Sequence, residues 1–236
     1  MARSYNGGIN SLEFAVSFPF PAVLFDLDGT LVDTASDIAV AVNRMLVEEG
    51  VAEVDESLVR SWIGDGSGML LETALQHVGS PRTAEELLPR FMKHYGDSLL
   101  LNPQLYPGVR ETLDALAAKG VTMAICTNKP APFVAPLLEE LQIADAFAGV
   151  VGAGTLPERK PHPQPLLHLA EQFGLAPERC LMVGDSPTDS NAAHAAGMPV
   201  VLVSYGYPRG YDLHSAGALA VIDRLDELLH LPASAA

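Results

Sequence analysis

The sequence predicts an α/β protein with a doubly wound, Rossmann-like parallel sheet and a small helical domain inserted into that sheet. Two observations carry this prediction. Short apolar runs alternate with amphipathic helical patterns along the second half of the chain, which is typical of parallel strands covered on both faces. Residues 34–104 contain helical patterns only, so this interval interrupts the alternation and indicates an insertion.

Six short apolar runs have the length and composition of buried strands. They are AVLFD (22–26), VTMAICTN (121–128), VVGA (150–153), CLMVGD (180–185), PVVLVS (199–204) and LAVID (219–223). Amphipathic patterns around the later runs predict helices at 108–120, 131–143 and 163–175. Because strand–helix–strand crossovers are right-handed, we expect ligands to bind beyond the carboxyl ends of the strands.

The inserted interval has helical patterns at 36–50, 56–64, 68–79 and 83–100, separated by glycine and proline. The predicted division of the chain follows from it. It consists of an N-terminal extension at 1–19, an α/β core at 20–33 and 105–232, and a helical cap at 34–104. Because the cap leaves the core just after Asp28, we expect its hinges beside that residue, as in a lid.

Composition narrows the range of partners. The chain carries 14 Lys and Arg against 29 Asp and Glu, so its net charge of −15 argues against nucleic acid. No segment has the ~18 consecutive apolar residues of a membrane helix, and the N-terminal apolar stretch does not resemble a signal peptide. Cys126 and Cys180 lie inside apolar runs, which favours free thiols and a cytoplasmic protein. A monomer and a homodimer are both compatible with the sequence.

Polar side chains occur at the predicted carboxyl ends of the strands. They are Asp26 and Asp28, Thr127 and Asn128, Lys160, and Asp185 and Asp189. Each of them alone has a structural explanation as a turn residue, a helix cap or a surface lysine. The doubly wound topology, however, brings all of them to one crevice, where carboxylates, a hydroxyl, an amide and a lysine converge.

The chemistry of this set predicts phosphoryl transfer. Neighbouring carboxylates repel one another and have raised pKa values unless a hard cation lies between them, and an all-oxygen ligand set favours Mg²⁺ with a phosphate as co-ligand. Asp26 is nearest the strand and suits nucleophilic attack, whereas Asp28 can be protonated to serve a leaving group. Lys160 and the hydroxyl of Thr127 would offset the charge of a bound phosphoryl group.

The stretch FDLDGTLVD (25–33) resembles the first motif of the haloacid dehalogenase-like hydrolase superfamily. Thr127, Lys160 with Pro161, and GDSPTD (184–189) resemble its second, third and fourth motifs in order, and the helical block resembles its cap. The resemblance covers about residues 20–230.

The resemblance implies an aspartyl-phosphate mechanism. Asp26 would attack phosphorus, and Asp28 would protonate the leaving alcohol and then activate water. The groups that the resemblance implies as Mg²⁺ ligands are Asp26, Asp185 and the backbone carbonyl of Asp28, with Asp189 supporting the metal through its water shell. Phosphate would be held by Thr127, Asn128 and Lys160.

The presence of Asp28, the second acid of the first motif, points to the phosphatase branch of the superfamily rather than to its dehalogenases. Within that branch, four stretches resemble the bacterial phosphoglycolate phosphatases, which implies 2-phosphoglycolate as the small-molecule substrate. They are SWIGDGSGMLLETAL (61–75), YPGVRETLDAL (106–116), CTNKPAPFVAPLLEEL (126–141) and VSYGYPRG (203–210). The chain departs from the superfamily pattern at His162, where Asp is common, and at Pro187-Thr188.

Alternative functions stay open at this point. The same motifs fit a phosphatase of a sugar phosphate or of pyrophosphate, and they fit a phosphosugar mutase. A non-enzymatic binding protein on this fold would usually lack Asp26, Asp28 or Lys160, and all three are present.

Two features of the cap suggest substrate contacts. Gly64, Gly66 and Gly68 free the backbone ahead of a helix, where exposed N–H groups can receive a carboxylate such as that of glycolate. A simple interhelical turn explains the same glycines. Arg60, just upstream, is a candidate anion clamp, with a surface arginine as the favoured interpretation.

Overall fold

A computed structural model describes residues 18–232 of the protein. Six strands form its main sheet: β1 (Ala22–Phe25), β4 (Thr122–Pro130), β5 (Gly149–Ala153), β6 (Cys180–Gly184), β7 (Val200–Val203) and β8 (Ala220–Ile222). Their order is β5-β4-β1-β6-β7-β8, and all neighbours are parallel. Two short strands, β2 (Val32–Asp33) and β3 (Gln104–Leu105), pair antiparallel outside this sheet. The predicted fold class is confirmed.

Strand β1 shows why the sheet has nearly continuous apolar strands. Its four residues are all buried, with Val23 and Phe25 in the hydrophobic cluster on one face and Ala22 and Leu24 in the cluster on the other. Since successive side chains of a strand point to opposite faces, a strand covered on both sides needs apolar residues at every position.

Four helices cover the two faces of the sheet. They are α5 (Val109–Ala118), α6 (Val134–Glu140), α7 (Gln164–Gln172) and α8 (Pro187–Ala196). The buried side chains of α5 and α6 belong to one cluster, and those of α7 and α8 belong to the other. The core is therefore doubly wound, and the ends of its strands open toward one crevice.

Between β2 and β3 lies the helical insertion, residues 35–98. It contains α1 (Ala35–Glu48), α2 (Glu56–Arg60), α3 (Ser67–His77) and α4 (Ala84–Ser98). Its side chains form a separate apolar cluster around Met45, Leu71 and Phe91. Helix α2 ends at Arg60, four residues earlier than predicted, because the chain turns before Gly64, whose φ is +131°.

The insertion enters and leaves the core through the β2–β3 pair, in which Val32 lies opposite Leu105. A further bridge joins Asp28 to Val32, so both connections lie beside the end of β1. The division of the chain into domains stays a prediction. Residues 1–17 of the predicted extension lie outside the described residues, and Phe18 is buried near Phe20, at a ring-centroid distance of 6.1 Å. Within residues 18–232, none of the helices has the length and hydropathy that crossing a membrane requires.

Candidate active site

Three buried carboxylates meet where β1 and β6 end. Asp26 follows β1 and Asp185 follows β6, and these strands are neighbours in the sheet. Asp189 joins them from the first turn of α8. One oxygen from each carboxylate lies within 4.8 Å of the others. Among the described residues this is a cluster with the donors and the spacing to hold a metal ion, and all three side chains are buried.

Asp185 is fixed by tight contacts with the loops around it. Its Oδ2 accepts a hydrogen bond from the backbone N–H of Tyr207 at 2.5 Å, and its Oδ1 accepts one from the hydroxyl of Thr30 at 3.1 Å. A Cβ at Gly29 would lie 2.3 Å from Asp185 Oδ2, and a Cβ at Gly206 would lie 2.4 Å from Asp185 Cβ. Only glycine leaves room for this carboxylate at both positions.

Lys160 lies between two of the acids. Its Nζ is 3.0 Å from Asp26 Oδ1 and 2.6 Å from Asp189 Oδ1, and its side chain is 1% exposed. Burial by itself would lower the pKa of Lys160, but the carboxylates of Asp189 and Asp26 outweigh it and raise that pKa. The lysine is therefore a permanent cation beside the predicted nucleophile.

Asp189 is saturated with hydrogen bonds. Its Oδ1 binds Lys160, while its Oδ2 accepts from the backbone N–H groups of Asp185 at 3.2 Å and Ser186 at 3.1 Å and from the Ser186 hydroxyl at 2.7 Å. These bonds hold the loop between β6 and α8. The side chain thus orients Asp185 and Lys160, and its predicted contact with the water shell of a metal stays a prediction.

The positive charge of Lys160 does not balance the negative charge of the three carboxylates, Asp26, Asp185 and Asp189. Burial raises the pKa of Asp26 to about 7, with Lys160 lowering it and the charge of Asp189 raising it. Burial, then the charges of Asp189 and Asp26, raises the pKa of Asp185 well above its usual range. A hard dication with a preference for oxygen ligands fits this donor set.

Thr127 and Asn128 lie near the end of β4 and line the crevice. The Thr127 hydroxyl accepts from the backbone N–H of Lys129 at 3.1 Å. The Asn128 amide donates to the carbonyl oxygens of Gly64 at 3.1 Å and Lys160 at 2.8 Å, so both of its N–H groups are already bonded. Asn128 therefore ties a turn of the insertion to the loop that carries Lys160.

The carboxylate of Asp28 has different neighbours from those of the trio. Its Oδ1 accepts hydrogen bonds from the Thr34 hydroxyl at 2.8 Å and from Lys129 Nζ at 3.0 Å. The side chain of Lys129 is fully buried, and its Nζ also contacts the Tyr95 hydroxyl at 2.5 Å. Lys129 is not predicted as a site residue from the sequence, because a lysine after a strand is typical of a solvated position; the stretch CTNKP is the signal that could have found it.

A cavity lies between the helical insertion and the strand ends, with about 410 Å³ of empty space when the part open to solvent is included. Asp26, Asp28, Thr127 and Asn128 line it, together with Gly64 and residues of α1, α3 and α4. The structure thus brings Gly64 to the site.

Arg60, in contrast, is not among the residues that line the cavity. Its Nη2 contacts Asp33 at 3.0 Å and Glu56 at 3.2 Å, and its guanidinium lies 5.0 Å from the ring centre of Tyr207. The arginine is thus held by two acids and a ring, and the structure does not place it with the other candidate site residues.

A second link between the insertion and the core is not predicted from the sequence. Asp65, in the turn before α3, forms an ion pair with Arg209, and its Oδ1 accepts a hydrogen bond from the Thr188 hydroxyl at 2.5 Å. Arg209 Nη2 also contacts Thr188 at 3.2 Å. Burial would raise the pKa of Asp65, but its bonds to Arg209 and Thr188 lower it. These three residues are called the Asp65–Arg209 link below.

Residues 23–203 match the family model of the haloacid dehalogenase-like hydrolases. A match over this much of the chain shows that the protein belongs to that family. The sequence-based prediction of this family depended on FDLDGTLVD (25–33), Thr127, Lys160 with Pro161 and GDSPTD (184–189), and it is confirmed.

Curated relatives and a solved structure are similar over most of the chain. A protein of Rhodospirillum rubrum named phosphoglycolate phosphatase is 44% identical over 209 residues, covering 86% of each chain. One of Nitrosococcus oceani with the same name is 42% identical over 91% of this chain and 97% of its own. A crystal structure of a predicted phosphoglycolate phosphatase from Haemophilus somnus superposes with a TM-score of 0.84 at 36% identity, covering 90% of this chain and 97% of that one. These similarities confirm the phosphatase class of enzyme.

Proposed function

We propose that the protein is a Mg²⁺-dependent phosphomonoester hydrolase that cleaves 2-phosphoglycolate to glycolate and phosphate through an aspartyl-phosphate on Asp26. The observation that carries the proposal is the contact of Lys160 with Asp26, 3.0 Å apart, inside a buried trio of carboxylates. The names of the relatives support the substrate. The buried free thiols of Cys126 and Cys180 support a cytoplasmic location.

The donor set fits a magnesium ion. Asp26, Asp185 and Asp189 bring three buried carboxylates to one place, with Lys160 as the contacting cation. We assign Asp26, Asp185 and the backbone carbonyl of Asp28 as the metal ligands. When bound, Mg²⁺ supplies positive charge that neutralises the carboxylates and the oxygens of a phosphoryl group.

The side chains of the protein then divide the reaction into two displacements. A carboxylate oxygen of Asp26 forms a bond to phosphorus while the bond from phosphorus to the glycolate oxygen breaks, and Asp28 gives its proton to that oxygen. Asp28 next takes a proton from water, whose oxygen bonds to phosphorus as the bond to Asp26 breaks. Lys160 and the Thr127 hydroxyl bind the phosphoryl oxygens and offset their charge throughout.

The start of α3 supports a carboxylated leaving group. Gly66 is the N-cap of this helix, its φ is +88°, and no side chain caps the helix. The first backbone N–H groups of the helix are thus left for a ligand, and both Gly66 and Ser67 line the cavity. We assign this turn, with Gly64, to substrate binding.

Phosphate release from a panel of esters tests the substrate. The panel comprises 2-phosphoglycolate, glucose 6-phosphate, β-glucose 1-phosphate and pyrophosphate, each with Mg²⁺ and with excess EDTA. We expect the highest kcat/KM for 2-phosphoglycolate and no turnover in EDTA. Equal or faster turnover of a sugar phosphate or of pyrophosphate would contradict the substrate, and conversion of glucose 1-phosphate to glucose 6-phosphate would indicate the mutase.

The nucleophile is tested by Asp26→Asn. An amide cannot carry the phosphoryl group as the carboxylate does, so we expect kcat to fall by about 10³-fold or more. Asp145→Asn removes the same charge from an exposed residue and serves as the matched control. Trapping of radiolabelled phosphate on the wild-type chain in the steady state, and its loss in Asp26→Asn, gives a second readout. Full turnover by Asp26→Asn would sink the assignment.

A further inference from the structure

Lys129 is a cation inside the cavity that the reaction described above does not use. It is the single Lys, Arg or His among the described residues that line the cavity. Its side chain is fully buried, between Asp28 from the end of β1 and Tyr95 from α4. A buried ammonium is costly unless it meets acceptors, so its position in this wall requires an explanation.

The contacts of Lys129 leave hydrogen-bonding capacity for a ligand. An ammonium has three N–H donors. Its acceptors are Asp28 Oδ1 at 3.0 Å, Asp28 Oδ2 at 3.3 Å and the Tyr95 hydroxyl at 2.5 Å. The contact with Asp28 Oδ2 is the longest of the three and is made to a carboxylate that Lys129 already binds through Oδ1, so a ligand carboxylate can take over that donor.

Tyr95 offers a second donor beside the first. Burial, followed by the charges of Asp28 and Asp37, raises the pKa of Tyr95 well above its usual range, so its hydroxyl is protonated at neutral pH. The oxygen accepts from Lys129, and within residues 18–232 its hydrogen has no acceptor. An ammonium N–H and a phenol O–H therefore lie side by side at the cavity wall.

The other residues of the cavity wall favour binding of an anionic group beside Lys129 and Tyr95. The residues of the insertion that face the cavity are mainly apolar: Ile38, Ile63, Leu70 and Phe91. The uncapped start of α3 is close, because a Cβ on Gly66 would lie 3.6 Å from the carbonyl oxygen of Asn128, the residue before Lys129. Lys129, Tyr95 and the α3 turn thus line the same cavity as Asp26 and Thr127.

We propose that Lys129 is a specificity-determining residue whose ammonium, together with the Tyr95 hydroxyl, binds the carboxylate of the leaving group. The proposal rests on the proposed function and extends it, because it says which side chains separate a carboxylated phosphate ester from a neutral one. A purely structural lysine would neutralise Asp28 and do nothing to select between esters.

The test compares two esters that differ only at the carboxylate. 2-Phosphoglycolate and 2-hydroxyethyl phosphate have the same chain length, and the second replaces the carboxylate with a neutral hydroxymethyl group. For each variant the readout is the selectivity, the ratio of kcat/KM for the two esters. Because loss of Lys129 also disturbs Asp28, both rates will fall, but that shared effect cancels in the ratio.

For Lys129→Met we expect the selectivity to fall by about 10- to 100-fold, the usual effect of losing a hydrogen bond to a charged group. Tyr95→Phe keeps the ring and its packing and removes only the hydroxyl, so we expect a smaller fall of about 3- to 10-fold. Lys119→Met removes an exposed lysine after α5 and should leave the selectivity at the wild-type value.

The outcomes separate this proposal from the one before it. If the wild type prefers 2-phosphoglycolate but the selectivity is unchanged in Lys129→Met and in Tyr95→Phe, the role of Lys129 is overturned and the proposed function stands. A wild type that hydrolyses neither ester, or shows no preference, overturns the proposed function and this inference with it. Inhibition by glycolate, weaker in folded Lys129→Met than in wild type, is the expected confirmation by a binding readout.

Discussion

At the scale of single residues, the candidate site depends on buried charges that satisfy one another at close range. Lys160 contacts both Asp26 and Asp189, while Asp185 is held by a backbone N–H of Tyr207. These groups tolerate little displacement, because removing one partner of a buried ion pair lowers the free energy of unfolding by about 3–5 kcal/mol. The small residues around them are then as constrained as the acids themselves.

Gly206→Ala tests this constraint. The new Cβ would lie 2.4 Å from both Asp185 Cβ and the Gly29 carbonyl oxygen, and neither atom can move freely. We expect the free energy of unfolding in urea to fall by about 1–3 kcal/mol, with weaker Mg²⁺ binding. Gly96→Ala, whose Cβ would meet only the Phe133 ring at 3.5 Å, is the control and should be neutral or stabilising. A Gly206→Ala protein as stable as wild type would refute the close fit.

The trio and Lys160 could be predicted from sequence because the ends of parallel strands meet at one edge, whatever the detailed packing. Lys129 could not be predicted in the same way. Its sequence context is typical of a surface lysine, and its burial depends on contact with Tyr95, which lies on a helix of the insertion. Periodicity in a sequence does not show which helix covers which strand end.

At the scale of elements, the strands of the main sheet agree with the predicted runs to within two residues, since buried strands must be apolar throughout. The helices agree less well. The buried side chains of α8 include small and polar ones such as Thr188, Ser190 and Ala192, so the sequence lacks the apolar stripe from which a helix could be predicted there. The predicted helix at 131–143 begins with a 3-10 turn at Ala131–Phe133 before α6, a region that contains Pro130 and Pro132.

The Asp65–Arg209 link joins the core to the turn before α3, and Gly64 and Gly66 of that turn line the cavity. Arg209→Met keeps much of the side-chain bulk and removes the charge. We expect a higher KM for the substrate, a kcat close to wild type, and faster hydrogen exchange in residues 64–70, because the turn before α3 loses a partner in the core. Hydrogen exchange followed by mass spectrometry, alongside steady-state kinetics, measures both effects.

A double-mutant cycle with Asp65→Asn completes that experiment. The side chains of Arg209 and Asp65 are 18% and 38% exposed, so solvent screens the pair, and we expect a coupling energy of about 0.5–1 kcal/mol in unfolding. Additive effects of the two substitutions on KM and on exchange would show that the link does not hold the insertion.

At the scale of the whole molecule, the acid trio predicts a stability that depends on pH and on the proposed metal together. Asp26 has a pKa of about 7 in the folded chain, against about 3.9 for an unfolded aspartate, so the folded state binds the proton more tightly. The resulting stabilisation is complete below the unfolded pKa and is lost as the pH rises through about 7. Bound Mg²⁺ offers the ionised form a partner and removes the penalty.

Metal-free protein and Asp26→Asn, compared in EDTA at pH 5 and pH 8, give a direct measurement. From pH 5 to pH 8 the wild type should lose about 2–3 kcal/mol of unfolding free energy through Asp26. Because Asn does not titrate, Asp26→Asn should not show this loss, so its stability relative to wild type should rise by the same amount. Saturating Mg²⁺ should flatten the wild-type pH dependence. A difference that stays constant from pH 5 to pH 8 in EDTA would contradict the raised pKa.

The β2–β3 pair also has a consequence for how the chain folds. Strand β1 pairs with β4 in the register Ala22 to Thr122, so 100 positions of chain separate two neighbours at the centre of the sheet. The antiparallel contact of Val32 with Leu105 joins the ends of the insertion, which shortens the loop that must close to about 30 residues. The saving in closure entropy is only about 1 kcal/mol. In kinetic terms, the insertion can therefore be long without isolating the first strand from the rest of the sheet.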